Sequence, residues 1–350
     1  MRIGIMAPPW VPVPPPFYGG TEAIVDRLAR GFVAAGHDVL LWTTGDSTCP
    51  VPRGHVLKWA EGDRIGISAI ELRHLIGGYE AFLEWGADIV HDHTLIGPVY
   101  GHRAGDLPVV TTNHGPFNDD VTDLYRVIAR DVPIIAISHD HAARAAQARQ
   151  IPIAAVIHHG LDLDQFPAGD GSGDERGEYF LFLGRMAPEK GARRAAQAAK
   201  QAGVRLIIAA KMREPWEHMF FADQVQPLLD DDIVFVGEVS HEEKVPLLQR
   251  ATALVNPILW PEPFGLVMIE ALACATPVLA FHEGSAPELV DDGVTGFICD
   301  DVDDLARKMG EVTTLDRSDC RDAAEVRFTT ERMVADHLEL FTRVLGGSPK

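Results

Sequence analysis

The stretch Trp260–Phe281, WPEPFGLVMIEALACATPVLAF, decides how the rest of the chain is read. Pro261 and Pro263 bracket Glu262, and a helix cannot run through them, so Glu262 belongs to a loop. The helix is expected to open near Phe264 or Gly265. Leu266, Ile269, Leu272 and Ala273 form its buried face, and Glu270 falls on about its second turn. TPVLAF then reads as a near-continuous apolar strand, the kind found in a parallel sheet covered on both faces. The run holds two acids and no base. If helical throughout, eight residues would span roughly 12 Å, whereas the carboxyls of a glycosidase sit about 5 to 9.5 Å apart. Two carboxylates touching different parts of one long ligand fit better, with the free N–H groups of the helix start as an anion site between them.

Outward from this stretch the same alternation repeats. RIGIMA is a strand, followed by the proline-rich loop PPWVPVPPPFYGG and the helical TEAIVDRLARGFVAAGH, with Thr21 the expected N-cap and Gly36 the stop. DVLLWTT, ADIVH, PVVTTNH, PIIAIS and IAAVIHH are further apolar strands. After residue 160 the pattern stops in GLDLDQFPAGDGSGDERGE, and it resumes with YFLFLG, VRLIIAA, DIVFVG, ATALVNP and TPVLAF. The expected organisation is therefore two Rossmann-like doubly wound α/β domains facing a central cleft. The first covers residues 1–165 and the second 179–328, with a linker at 166–178. A C-terminal helix over 329–350 packs on the second domain or crosses to the first. Ligands in such sheets bind at the carboxyl ends of the strands, so the loops after strands carry the chemistry.

The chain has 350 residues and a formal net charge of -20, which argues against nucleic acid or an anionic lipid surface as a partner held by bulk charge. Cys49, Cys274, Cys299 and Cys320 are far apart and form no C-x-x-C pair, so reduced thiols and a cytoplasmic setting are the expectation. No apolar run is long enough for a membrane span.

No G-x-G-x-x-G follows the first strand, and no G-x-x-x-x-G-K-[ST] occurs anywhere, which weighs against dinucleotide dehydrogenases and P-loop NTPases. FLGRMAPEKG, after the first strand of the second domain, places Arg185 and Lys190 across a short loop that opens a helix. A guanidinium and an ammonium beside a helix start suit a diphosphate; two solvated surface cations are the plain alternative. Gly19 and Gly20 in FYGGTEA allow close backbone approach to a ligand, or form a simple strand–helix turn. His91 and His93 stand on one strand face, but no third ligand is evident and no metal site is expected. Ser138 is the expected cap of the helix that carries His139 and His141.

EPFGLVMIE resembles the E-x7-E signature of family 4 glycosyltransferases of the GT-B fold. YGGTE, TTNHGP, HHGLDLDQF, FLGRMAPEKG, FVGEVS and GSAPELVDDGVTGFIC fall in the order that family shows, so the resemblance spans essentially the whole chain. It implies a retaining hexosyltransferase that takes a nucleoside-diphosphate sugar, with uridine diphosphate expected on family frequency, and transfers to a carbohydrate or small-molecule acceptor. Arg185 and Lys190 would hold the diphosphate, and Gly19 and Gly20 would meet the phosphates or the sugar from the first domain. Glu270 would bind the ribose, and Glu262 the donor sugar. Phe264, Gly265 and Leu266 would donate backbone N–H groups, His114 would lie beside the anomeric carbon, and Gly237 and Val239 would border the nucleobase. No metal or other cofactor is implied. His159 stands where the family often has Asn, and Gly284–Ala286 where it often has a glycine pair. A disaccharide phosphorylase of the same fold and a non-catalytic nucleotide-sugar-binding protein are the alternatives. Oligomeric state, a homodimer included, stays open.

Overall fold

The computed structural model describes residues 1–101, 106–148 and 150–346. Among them the chain forms two compact units. Unit 1 holds Met1–Gly160 together with the segment from Thr330 onward, and unit 2 holds Leu161–Thr329.

Unit 1 contains β1 (Arg2–Met6), β2 (Asp38–Trp42), β3 (Arg53–Gly54), β4 (Ile89–Asp92), β5 (Val109–Thr112), β6 (Ile134–Ala136) and β7 (Ala155–Val156). They pair in parallel in the order β3-β2-β1-β4-β5-β6-β7. The apolar residues that predicted these strands lie buried in the sheet, Ile3, Ile5, Leu41, Val90 and Ile135 among them. The helix Ser68–Trp85 crosses β1 closely, because Gly4 leaves room for the Phe82 ring that a Cβ would meet at 2.8 Å. The order reverses between β1 and β4, which makes the loops after these strands the walls of a crevice.

Unit 2 contains β8 (Phe180–Arg185), β9 (Leu206–Lys211), β10 (Ile233–Gly237), β11 (Leu254–Asn256), β12 (Val278–Phe281) and β13 (Gly296–Cys299). This sheet is also parallel, in the order β10-β9-β8-β11-β12-β13, and it reverses between β8 and β11. The helix Ala192–Ala202 turns Ala192, Ala195, Ala196 and Ala199 inward onto Phe180, Phe182 and Ile208, where small side chains let it lie close to the sheet.

Several expectations change. The segment 166–178 is no free linker. Gly169 N, Gly171 N and Gly173 N donate to the carbonyls of Cys274, Gln249 and Arg250, at 2.9, 3.0 and 2.9 Å, which fixes it to unit 2. The boundary falls at Gly160, since Leu161 N donates to Phe328 O at 2.8 Å. The helix Thr330–Leu345 belongs to unit 1 and lies on the helix Gly20–Ala34. A Cβ on Gly31 would come within 2.5 Å of Val334, and the Phe32 and Phe341 rings meet at 5.5 Å. Residues 347–350 of that expected segment lie outside the described residues. Gly19, not Thr21, is the N-cap residue of the first helix. Two strands stand outside the expected set: β3, two residues long, and β13, within GVTGFIC.

Candidate functional site

In unit 2 the functional candidates gather on the loops of the switch point. β8 ends on Arg185, a short turn over Pro188–Lys190 follows, and Gly191, at φ 94°, leads into the next helix. A Cβ on Gly191 would stand 2.3 Å from Pro257 O, so glycine lets this loop touch the one after β11. Arg194 ties the two together, donating from Nε to Pro257 O at 2.8 Å and from Nη2 to Glu189 O at 3.0 Å.

Across that junction Lys190 Nζ donates to the Glu262 carboxylate, so two residues 72 apart in sequence form a direct, largely buried ion pair. Lys190 also stands 5.0 Å from the centre of the Trp260 ring. The Glu262 loop is fixed from behind. Gly284, at φ 56°, lies so near it that a Cβ would meet Glu262 O at 2.4 Å, Ser285 N donates to the same oxygen at 3.1 Å, and Ser285 Oγ donates to Phe264 O at 2.5 Å. Phe264 is buried, Gly265 caps the helix Leu266–Ala273 in the left-handed conformation, and Leu266 is half-buried, less covered than expected.

Arg185 lies beside this pair but has its own partners. Its Nη2 donates to Glu189 Oε1 at 2.7 Å, its guanidinium stands 5.3 Å from the Trp216 ring, and its Nε is 3.7 Å from Glu217 Oε1. Glu217 is fully buried. Burial pushes its carboxyl up, but the backbone N–H groups of Arg213 and Glu214, at 2.7 and 3.0 Å, and Lys211 Nζ, at 3.2 Å, more than offset this and hold it below the usual range.

Glu270 is buried on its helix, and its Oε1 accepts from Lys244 Nζ at 2.7 Å. The reading of the sequence missed Lys244. A signal was present in SHEEK, where Ser240 and Glu243 form a capping box that fixes the start of the helix His241–Arg250. Gly237, at φ 87°, and Val239 connect β10 to that helix, and the carboxylate of Glu238 between them accepts from Nε and Nη2 of Arg213 at 3.1 and 2.8 Å.

In unit 1 the loops after β1, β4 and β5 line a half-open cavity of about 290 Å³. Pro8, Trp10 and Tyr125 are among its apolar walls, and Thr94, Thr112 and His114 among its polar ones. His114 Nε2 is hydrogen-bonded to His93 Nδ1 at 2.8 Å, and His91 Nε2 to Thr112 Oγ1 at 2.7 Å. Ring contacts extend the group: His91 to His93 at 4.0 Å, His91 to His337 at 4.9 Å and His114 to His159 at 5.3 Å. Burial first, then the neighbouring imidazoles, holds His114 down to about 3 and His91, His93 and His159 well below the usual range. His91 and His93 thus serve a neutral hydrogen-bonded column. Ser138 caps its helix as expected, its Oγ accepting from His141 N at 3.0 Å. At Gly19 a Cβ would meet Pro15 at 2.6 Å, and burial raises the carboxyl of nearby Glu22 to about 7. Gly20 is the first residue of the helix Gly20–Ala34.

Residues 18–165 match the model of Glycosyltransferase Family 4, and residues 170–327 that of Glycosyl transferases group 1. The chain belongs to the family 4 glycosyltransferases. D-inositol 3-phosphate glycosyltransferase of Mycolicibacterium smegmatis is 30% identical over 289 residues, which cover 72% of this chain and 63% of that one. The enzyme of the same name from Mycobacterium sp. strain KMS is 34% identical over 184 residues, 48% and 41% of the two chains. The chain thus matches from about two fifths to under two thirds of the length of these relatives. Among solved structures, sucrose-phosphate synthase from Thermosynechococcus elongatus superposes with a TM-score of 0.80 at 20% identity, covering 99% of this chain and 100% of that one. Anabaena HepE, in complex with UDP and glucose, superposes at 0.74 and 20% identity, covering 98% and 99%. The fold of this family 4 member is GT-B. Among its described residues no helix is long and apolar enough to cross a membrane.

Proposed function

We propose that this chain is a retaining glycosyltransferase that moves a hexose from a nucleoside-diphosphate sugar, a UDP-sugar in first place, to a hydroxyl of an oligosaccharide, glycoside or other small-molecule acceptor. The observation that carries the reading is the meeting of Lys190 with Glu262 at the switch point of unit 2, with Arg185 on the same loop and the buried Glu270 on the following helix. Structures of HepE with UDP and with UDP-glucose, and relatives named for glycosyl transfer, support it.

In this reading Arg185 and Lys190 hold the diphosphate, which joins or displaces Glu189 and Glu262 as their partner. Positive charge already fixed where the leaving group gains negative charge lowers the barrier without reorganisation. Glu270, oriented by its bond from Lys244, takes the ribose hydroxyls. Glu262 and the N–H groups of Phe264, Gly265 and Leu266 bind the sugar and phosphate, and Gly237 and Val239 border the base. The bond from the anomeric carbon to the phosphate oxygen breaks with its electron pair going to phosphate. The acceptor oxygen bonds to the same face of that carbon, and its proton passes to the departing phosphate. The reaction needs no metal, and we place it in the cytosol, in keeping with free, buried cysteines.

A thermal-shift panel of nucleoside diphosphates, their sugars and inorganic phosphate tests the proposal. A rise with UDP that follows mass action, lost in Arg185→Ala, is expected. No rise with any nucleotide rejects the reading, and a rise with inorganic phosphate alone favours a phosphorylase.

A further inference from the structure

Two hydrogen-bond chains end at the unit 1 cavity, and both end on a donor. His91 and His93 are buried, and each uses one ring nitrogen, on Thr112 Oγ1 and on His114 Nε2 respectively. Their other nitrogens, His91 Nδ1 and His93 Nε2, are buried without a hydrogen-bond partner. An orphaned buried N–H is rarer than an orphaned acceptor, so each ring places its proton on the bonded nitrogen. His91 Nε2–H therefore donates to Thr112 Oγ1, which leaves the threonine O–H for another acceptor. His93 Nδ1–H donates to His114 Nε2, which puts the proton of His114 on Nδ1. Thr112 and His114 both line the cavity.

Among the described residues that line the cavity none is a lysine or an arginine. The wall formed by Thr94 and Leu95 rests on two carboxyl groups: Asp92 Oδ1 accepts from Thr94 N at 2.8 Å, and Glu71 Oε1 accepts from Leu95 N at 3.2 Å. Arg126, on the helix that supplies Val121 and Tyr125 to the cavity, is paired with Asp123 at 3.1 Å. The two imidazoles of the His93–His114 bond share a single proton between their facing nitrogens, and protonating both would set N–H against N–H.

Building on the glycosyl-transfer reading above, we propose that this cavity receives the acceptor as an uncharged polyhydroxylated molecule, a sugar, glycoside or polyol, and rejects a phosphorylated one. Its hydroxyl oxygens accept from Thr112 O–H and His114 Nδ1–H, and its C–H faces lie on Trp10, Pro116 and Tyr125. A phosphate entering here would lose its water without meeting a lysine or arginine among the described lining residues, close to the carboxyl groups of Asp92 and Glu71. His114 has no lone pair left with which to act as a base, so the proton of the acceptor goes to the departing phosphate.

Binding to the full chain of matched pairs, myo-inositol against an inositol monophosphate and glucose against glucose 6-phosphate, tests this by calorimetry or saturation-transfer NMR, without donor. The uncharged member should bind at least tenfold more tightly. Val121→Arg, which sets a guanidinium on the same wall, should raise the affinity of the phosphorylated member at least tenfold. Equal or better binding of the phosphorylated member to the unmodified chain, no binding of either member of any pair, or no gain in the variant overturns the proposal. Because donor is omitted, the result is separate from the UDP thermal shift. A chain that shifts with UDP but prefers phosphorylated acceptors keeps its proposed function and loses this specificity.

Discussion

His337 offers a direct measurement of what the buried histidine column costs in acid. It is 2% exposed on the terminal helix, its Nδ1 bonds Met333 O at 2.7 Å, and its ring meets those of His91 and Phe341. Burial holds it down to about 4 against an ordinary imidazole value of 6.5, with Arg332 adding to the depression and the Met333 carbonyl and Asp336 opposing it. A base whose folded value is depressed binds its proton more readily in the unfolded chain. Its contribution is therefore complete above about pH 6.5 and is lost as the pH falls from there toward 4. At pH 5 the unfolded ring is about 1.5 pH units below its midpoint while the folded ring is still neutral. At about 1.4 kcal/mol per unit this is a loss of about 2 kcal/mol. Acids oppose it in the whole protein, because burial raises Glu22 to about 7 and Asp92 to about 6, and both gain protons on folding over the same range. The informative quantity is thus a difference. Urea unfolding of the unmodified chain and of His337→Met, each at pH 7.5 and pH 5, should show the variant losing about 2 kcal/mol less between the two conditions. The hydrogen bond to Met333 is missing from the variant at both pH values and cancels. An identical pH dependence in the two proteins refutes the reasoning.

Lys244→Met strands the buried carboxylate of Glu270. It should lower the stability of unit 2 by about 3 kcal/mol and weaken UDP more than inorganic diphosphate, read by thermal unfolding and calorimetry. Gly191→Ala forces a Cβ against Pro257 O at a positive φ and should cost about 2 kcal/mol, seen as a lower unfolding midpoint together with weaker nucleotide binding. Gly31→Val pushes into Val334 and should loosen the terminal helix, giving faster proteolysis within residues 330–345 than in the unmodified chain. Unchanged behaviour in any of these rejects the corresponding contact.

Much of the architecture was legible because it follows from local rules. Prolines on either side of Glu262 exclude a helix there, Gly265 starts one, and apolar runs alternating with helices predict parallel sheets. The loops that hold Arg185, Lys190, Glu262 and Gly237 could be named from their position after strands. Their partners could not. Lys190 meets Glu262, and Lys244 meets Glu270, across 72 and 26 residues, and nothing in the local spacing announces either pair. The segment 166–178 has the composition of a linker, yet its backbone groups find partners on unit 2, which composition does not record.

By itself, then, the sequence determined the two α/β units, the motifs of the family and the identity of the loops that carry them, because periodicity and turn chemistry act over a few residues. Only the tertiary structure decided which loops meet, through the reversal of strand order between β8 and β11 and between β1 and β4. It also decided where the terminal helix rests, since its amphipathic pattern is compatible with either unit and the glycine-lined approach at Gly31 settles the contact. The protonation of the histidine column was equally out of reach of the sequence, because a proton goes to whichever ring nitrogen has a partner, and partners come from packing.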